Sequence, residues 1–247
     1  MSDHLAGVHY EVHGRGIPLM LGYPVMASPT PEDPNGAVLK GYLDRLIDRY
    51  RVLVMDYPDP APGKGHARLI PTNEFTAQRV CDDLLAVADA AGFDRFLWWG
   101  FSWGGVIGLQ LASRTDRVAA LVCGGWPPLS GPYDKMLRVG QVRAAKEALP
   151  SASPSQKFLT FYESVQDWPE AEALRRIRCP RMTFVGSADD LELEGVPLQL
   201  AERIHERRRD LQQQGWRVVE IPGRDHSIYT DPNTVVPIVR EFLDRAV

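Results

Sequence analysis

Short apolar runs alternate along this chain with longer segments whose apolar residues recur every three to four positions, and few folds satisfy that alternation. Arg51-Val52-Leu53-Val54-Met55 and Val118-Ala119-Ala120-Leu121-Val122-Cys123 are apolar across consecutive positions. They read as strands buried on both faces, and the run ending at Gly100, Arg181–Val185 and Arg217–Ile221 read as further strands of the set. Between them, Leu39, Leu43, Leu46, Ile47 and Tyr50 take helical spacing, and so do Val80, Leu84, Val87 and Ala91, stopped by Gly92. The last helix has Asp231 as its N-cap and Pro232 at its first position, with Val235, Val239 and Phe242 facing the core. Strands alternating with helices predict an α/β fold with a mostly parallel sheet covered on both faces. Ligands of such sheets bind beyond the carboxyl ends of the strands.

Two segments depart from the rhythm. Val8, Tyr10 and Val12 alternate with His9, Glu11 and His13, and Gly14-Arg15-Gly16 turns the chain into Ile17–Leu21, which predicts an N-terminal antiparallel hairpin. Residues 127–180 are proline-rich, with helical stretches near 133–149 and 155–166. They read as a small helical cap inserted within one domain spanning residues 1–247.

Chemistry enters at Gly100-Phe101-Ser102-Trp103-Gly104-Gly105, directly behind a strand. One explanation is a tight strand-to-helix turn of small residues. The other is a nucleophile elbow that holds Ser102 exposed on a strained turn. A serine hydroxyl attacks only when a base takes its proton and an acid orients that base. Asp189 stands three residues beyond Gly186 at the end of one later strand, with Asp190 as the neighbouring alternative. His226 follows the next strand, in Pro222-Gly223-Arg224-Asp225-His226. Cys123-Gly124-Gly125-Trp126 offers no carboxylate, so the acid is not placed after that strand.

With YEVHGRGIPLMLGYP, GFSWGG, VGSADD and PGRDH in this order, the chain resembles the α/β-hydrolase superfamily over nearly its full length. The resemblance implies that fold, with Ser102 as nucleophile, His226 as base and Asp189 as acid. It also implies an oxyanion hole from the backbone N–H groups of Trp103 and of Tyr23, in Leu21-Gly22-Tyr23-Pro24. Leu21 stands where the family usually has histidine, but backbone donors do not need that imidazole. Tyr23, Phe101, Trp103 and Trp126 follow strand ends and predict an apolar substrate pocket.

Composition removes other classes. A net charge of −4 gives no basic field for nucleic acid, and Arg207-Arg208-Arg209 reads as a solvated helix face. The N-terminus lacks the apolar core of a signal peptide, and no run approaches a membrane span. Cys81, Cys123 and Cys179 are widely spaced and suit buried thiols of a reducing cytoplasm. Five lysines stand among 28 basic residues, a bias of the kind GC-rich bacterial genomes impose. The scattered histidines have no metal-ligand spacing, and Gly63-Lys64-Gly65 lacks the rest of a phosphate loop. The expectation is a cytoplasmic, cofactor-free and metal-free serine hydrolase of a small apolar ester, lactone or thioester. The alternative is a receptor, acyltransferase or lyase on the same scaffold.

Overall fold

The computed structural model describes residues 2–5, 8–28, 33–57, 70–146 and 154–247; Gly63-Lys64-Gly65 and His66 lie outside the described residues. In chain order the strands are β1 (Ser2–Leu5), β2 (Val8–His13), β3 (Ile17–Leu21), β4 (Tyr50–Met55), β5 (Phe96–Phe101), β6 (Val118–Gly124), β7 (Arg181–Gly186), β8 (Glu192–Leu193), β9 (Val196–Pro197) and β10 (Trp216–Ile221). The helices are α1 (Ala37–Leu43), α2 (Ala77–Ala90), α3 (Trp103–Ala112), α4 (Tyr133–Lys146), α5 (Pro154–Val165), α6 (Glu170–Arg176), α7 (Leu200–Gln213) and α8 (Pro232–Ala246). Eight strands form one sheet in the order β1-β2-β4-β3-β5-β6-β7-β10, parallel from β4 onward.

The antiparallel hairpin at the N-terminus is made by β1 and β2, with Asp3 opposite Tyr10. Ile17–Leu21, the expected partner of β2, lies one strand away, because β4 slots between them and pairs antiparallel with β2 and parallel with β3. The relative direction of β2 and β3 is as the turn implied, but their adjacency is not. The turn itself packs on the strand that intervenes: a Cβ at Gly16 would sit 2.2 Å from the Arg49 carbonyl oxygen.

Central strands send alternate side chains to two cores. From β5, Phe96 and Trp98 enter the core beneath α2 and α3, while Leu97, Trp99 and Phe101 enter the core shared with α1 and α8. Both halves are buried, which is why the sequence shows runs rather than alternation. The helix ends follow their caps. Thr76 Oγ1 accepts from the Arg79 N–H at the start of α2, and Asp231 Oδ1 accepts from the Thr234 N–H at the start of α8.

The stretch between β6 and β7 holds α4 and α5 where helices were expected, and α6 in addition. Its core is aromatic: Phe161 and Tyr162 are fully buried, and Tyr162 packs on Phe158 and Trp126.

Candidate active site

β5 ends in a turn that places Ser102 at φ 54°, ψ −118° before α3 begins at Trp103. A side chain in that region of backbone space is strained by about 1–3 kcal/mol and persists only where its surroundings fix it. Here they do. The Ser102 N–H donates to the Gly124 carbonyl at 2.7 Å, and the Phe101 N–H donates to the Tyr23 carbonyl at 3.0 Å. Position 104 must be glycine, because a Cβ there would lie 2.2 Å from the Tyr23 carbonyl oxygen. That contact locks the loop after β3 against the turn.

The Ser102 amide is thus committed to Gly124. The Trp103 N–H is the next donor along, at the first residue of a helix, where amides have no carbonyl within the helix to meet.

Two later strand ends deliver the remaining groups. A Cβ at Gly186 would fall 2.0 Å from the Arg224 carbonyl oxygen, so the end of β7 and the loop after β10 are in direct backbone contact. The Ala188 N–H donates to that same carbonyl at 2.9 Å. Asp225 Oδ1 accepts from the Ser227 N–H and caps a short 3₁₀ turn, His226–Thr230. The outcome is a chain of contacts: Ser102 Oγ lies 3.0 Å from His226 Nε2, and His226 Nδ1 lies 2.8 Å from Asp189 Oδ2. Asp189 is buried and Asp190 is exposed, so the first of the two acids is the one that meets the imidazole. The Phe101 ring packs on the imidazole with centroids 4.9 Å apart.

The second carboxylate oxygen, Asp189 Oδ1, is buried and meets no hydrogen-bond partner among the described residues. His226 therefore gives this carboxylate its one side-chain partner there.

Ser102 and His226 open onto a cavity of about 400 Å³, within the usual range for small-ligand sites. Tyr23, Phe101 and Trp103 line it. Trp103 stacks on Phe75 at 6.2 Å and meets Tyr23 edge-on at 6.1 Å. Trp126 does not line the cavity. It is buried behind the wall against Tyr133 and Tyr162, because the Gly124–Gly125 turn sends it under the inserted helices.

Other lining residues were not anticipated. Met136 and Arg143 come from α4, Lys157, Phe158 and Tyr162 from α5, and Leu193 from the β8–β9 hairpin. Glu194 (φ 53°) and Gly195 (φ 77°) make that hairpin's turn, a pair of positive φ values suited to a two-residue loop. At its tip Glu194 accepts from Lys146 Nζ at 2.6 Å and Arg143 Nε at 3.1 Å, and these bonds hold its carboxyl below the ordinary range. Burial pushes the Tyr162 phenol above its ordinary range, and its hydroxyl has no hydrogen-bond partner among the described residues. Among the same residues no three His, Cys, Asp or Glu side chains gather as a metal set, and no helix is long and apolar enough to cross a membrane.

Comparison with known proteins gives the geometry a lineage. A Caulobacter vibrioides protein provisionally named carbamate hydrolase RutD is 33% identical over 122 residues. That match covers 49% of this chain and 43% of the relative, so the chain spans less than half the length of the curated protein it resembles. A thermophilic esterase from Thermogutta terrifontis superposes with a TM-score of 0.65 at 20% identity, over 97% of this chain and 93% of that one. E-2-(acetamidomethylene)succinate hydrolase superposes with a TM-score of 0.70 at 16% identity, over 99% of both chains. A family model described as alpha/beta hydrolase fold matches residues 36–194, from the start of α1 through the Asp189 loop. The chain belongs to the α/β-hydrolase fold family.

Proposed function

We propose that this chain is a cofactor-free serine hydrolase that cleaves an ester, lactone or thioester of a small molecule through an acyl-enzyme. One observation carries the proposal: Ser102, His226 and Asp189 form a continuous relay that opens onto an aromatic cavity. Ser102 Oγ attacks the carbonyl carbon while His226 Nε2 takes its proton. The His226 Nδ1–H donates to Asp189, which fixes the tautomer and stabilises the imidazolium that forms. The backbone N–H groups of Trp103 and Tyr23 receive the oxyanion. The bond to the leaving group then breaks, and His226 returns the proton to the departing oxygen or sulfur. Water, deprotonated by the same imidazole, attacks the acyl carbon and frees Ser102. The named relatives lend support, since carbamate and ester hydrolysis both begin with attack on a carbonyl carbon bearing a leaving group.

A fluorophosphonate probe tests the reading. Labelling should occur at Ser102, vanish in Ser102→Ala and slow by about 10⁴-fold or more in His226→Asn. Melting curves accompany each variant, because losing the imidazole strips the buried Asp189 of its partner. Equal labelling of the wild type and a folded His226→Asn, or none of either, would favour a binding protein on this scaffold.

A further inference from the structure

Asp56 directly follows the apolar strand β4 and is only 4% exposed. A carboxylate in such a place is costly unless donors meet its oxygens. A single residue supplies them. The Ser28 N–H donates to Asp56 Oδ1 at 2.7 Å and the Ser28 hydroxyl donates to Asp56 Oδ2, with Ser28 itself 3% exposed. No cationic side chain pairs with Asp56 among the described residues, so the two bonds from Ser28 are all that its side chain makes there. The Asp56 N–H donates to the His9 carbonyl at 2.9 Å, which ties the residue to β2.

Ser28 belongs to the loop that leaves β3. The near end of that loop is held by β5: the Gly22 N–H donates to the Trp99 carbonyl at 2.8 Å, and the Tyr23 carbonyl accepts from the Phe101 N–H. These contacts alone would leave the segment to pivot about β5. Val25 and Ala27 are buried in the core, and the second polar anchor is Asp56. Tyr23, whose N–H is one of the two donors proposed for the oxyanion, lies in the segment so held. The other donor belongs to Trp103, and the residue after Asp56 reaches towards it. The Tyr57, Phe75 and Trp103 rings stack in series, with centroids 6.3 Å and 6.2 Å apart. The end of β4 thus braces both donors, one through Ser28 and one through Phe75.

We propose that Asp56 is a positioning residue for the hydrolytic reaction: through Ser28 it fixes the loop that carries the Tyr23 N–H, and with it the geometry of the oxyanion hole. It touches no reacting atom. The inference rests on Ser102 being the nucleophile, and the experiment separates the two.

Turnover of 4-nitrophenyl butanoate reads the reaction, and propyl trifluoromethyl ketone reads the oxyanion hole. Ser102 Oγ adds to the ketone carbon, its proton passes to His226, and the carbonyl π electrons become an alkoxide that needs the same two N–H donors. The matching trifluoromethyl alcohol has a similar shape and cannot form the adduct. A misplacement of about 1 Å can cost about 10²-fold in rate, so Asp56→Ala should lower kcat by about tenfold to a hundredfold. Ser28→Ala keeps its N–H bond and should lose about tenfold, with KM in both variants within about twofold of wild type. Affinity for the ketone should fall in proportion to kcat, and affinity for the alcohol should not change. Asp56→Asn should stay within about threefold of wild type, because its carbonyl oxygen keeps the Ser28 N–H and its amide NH₂ donates to the Ser28 hydroxyl oxygen. Circular dichroism checks that each variant is folded at the assay temperature, and if Asp56→Ala is not, Ser28→Ala decides. Wild-type kcat in the folded variants, an equal loss of ketone and alcohol binding, or Asp56→Asn as impaired as Asp56→Ala overturns the proposal. If wild type neither turns over the ester nor binds the ketone more tightly than the alcohol, the hydrolase reading has failed and this inference falls with it.

Discussion

Replacing Ser102 by glycine and by alanine should invert the usual order of stability of those two residues. Both variants lose the hydroxyl and its contact with His226, so that contribution cancels between them. What differs is the Cβ at φ 54°, ψ −118°. A non-glycine residue there carries about 1–3 kcal/mol of strain, which glycine releases. Against this, glycine loses about 0.5–1 kcal/mol more chain entropy than alanine on folding. The balance leaves Ser102→Gly more stable than Ser102→Ala by about 1 kcal/mol at mid-range and by at most about 2.5 kcal/mol. For a chain of this size the mid-range value is a melting temperature higher by roughly 2–4 °C. Thermal unfolding followed by circular dichroism reads the difference directly, with neither variant active. Ala86→Gly, inside α2, is the control and should shift the other way. Should Ser102→Gly melt at or below Ser102→Ala, the turn stores no strain and the account of how Ser102 is held fails.

Two further outcomes follow from groups that desolvation shifts. Glu170 accepts from the Tyr133 hydroxyl at 3.0 Å, and burial raises its carboxyl to about 7. A carboxyl raised above its unfolded value of 4.5 gives stability that is full below that value and is lost as pH rises through 7. Unfolding free energies from urea titrations at pH 5 and pH 8 should therefore differ less in Glu170→Gln than in wild type, by on the order of 2–3 kcal/mol, and identical pH dependence would refute this. Burial pushes the Cys81 thiol up to about 12 and Cys179 to about 11, and holds Cys123 well above its ordinary value. Iodoacetamide at pH 8 should leave Cys81 and Cys123 of the folded chain unmodified and alkylate them after unfolding in urea; rapid labelling of either in the folded chain would contradict the burial.

The residues placed together at the site were legible because each follows a strand end marked by glycine. Gly100 precedes the elbow, Gly186 ends β7, and Gly223 precedes His226. Parallel sheets gather such ends on one edge, so chain order was enough to bring Ser102, Asp189 and His226 to one place. The pairing of Ile17–Leu21 was not legible, because a glycine turn fixes the reversal of a strand but not which later strand fills the gap beside it. Trp126 was misplaced for a related reason: a residue after a strand end can face the cavity or pass beneath an inserted helix, and spacing does not distinguish them. The lining contributed by α5 had a signal that went unused. Lys157, Phe161 and Val165 share one face of α5, and a lysine in register with two core residues is a buried cation in the making.

The contact between Gly104 and the Tyr23 carbonyl, with its counterpart between Gly186 and the Arg224 carbonyl, makes a rigid workbench of the sheet's carboxyl edge. Every atom proposed to touch the reacting carbonyl is clamped there, backbone against backbone. Much of the cavity's remaining lining belongs to a different part of the chain, α4 and α5, in the stretch that leaves the sheet after β6 and rejoins it at β7. Drift in that excursion can reshape the cavity without moving Ser102, Asp189 or His226. A lineage could change its diet by editing one contiguous stretch of gene, and an engineer could do the same by grafting it.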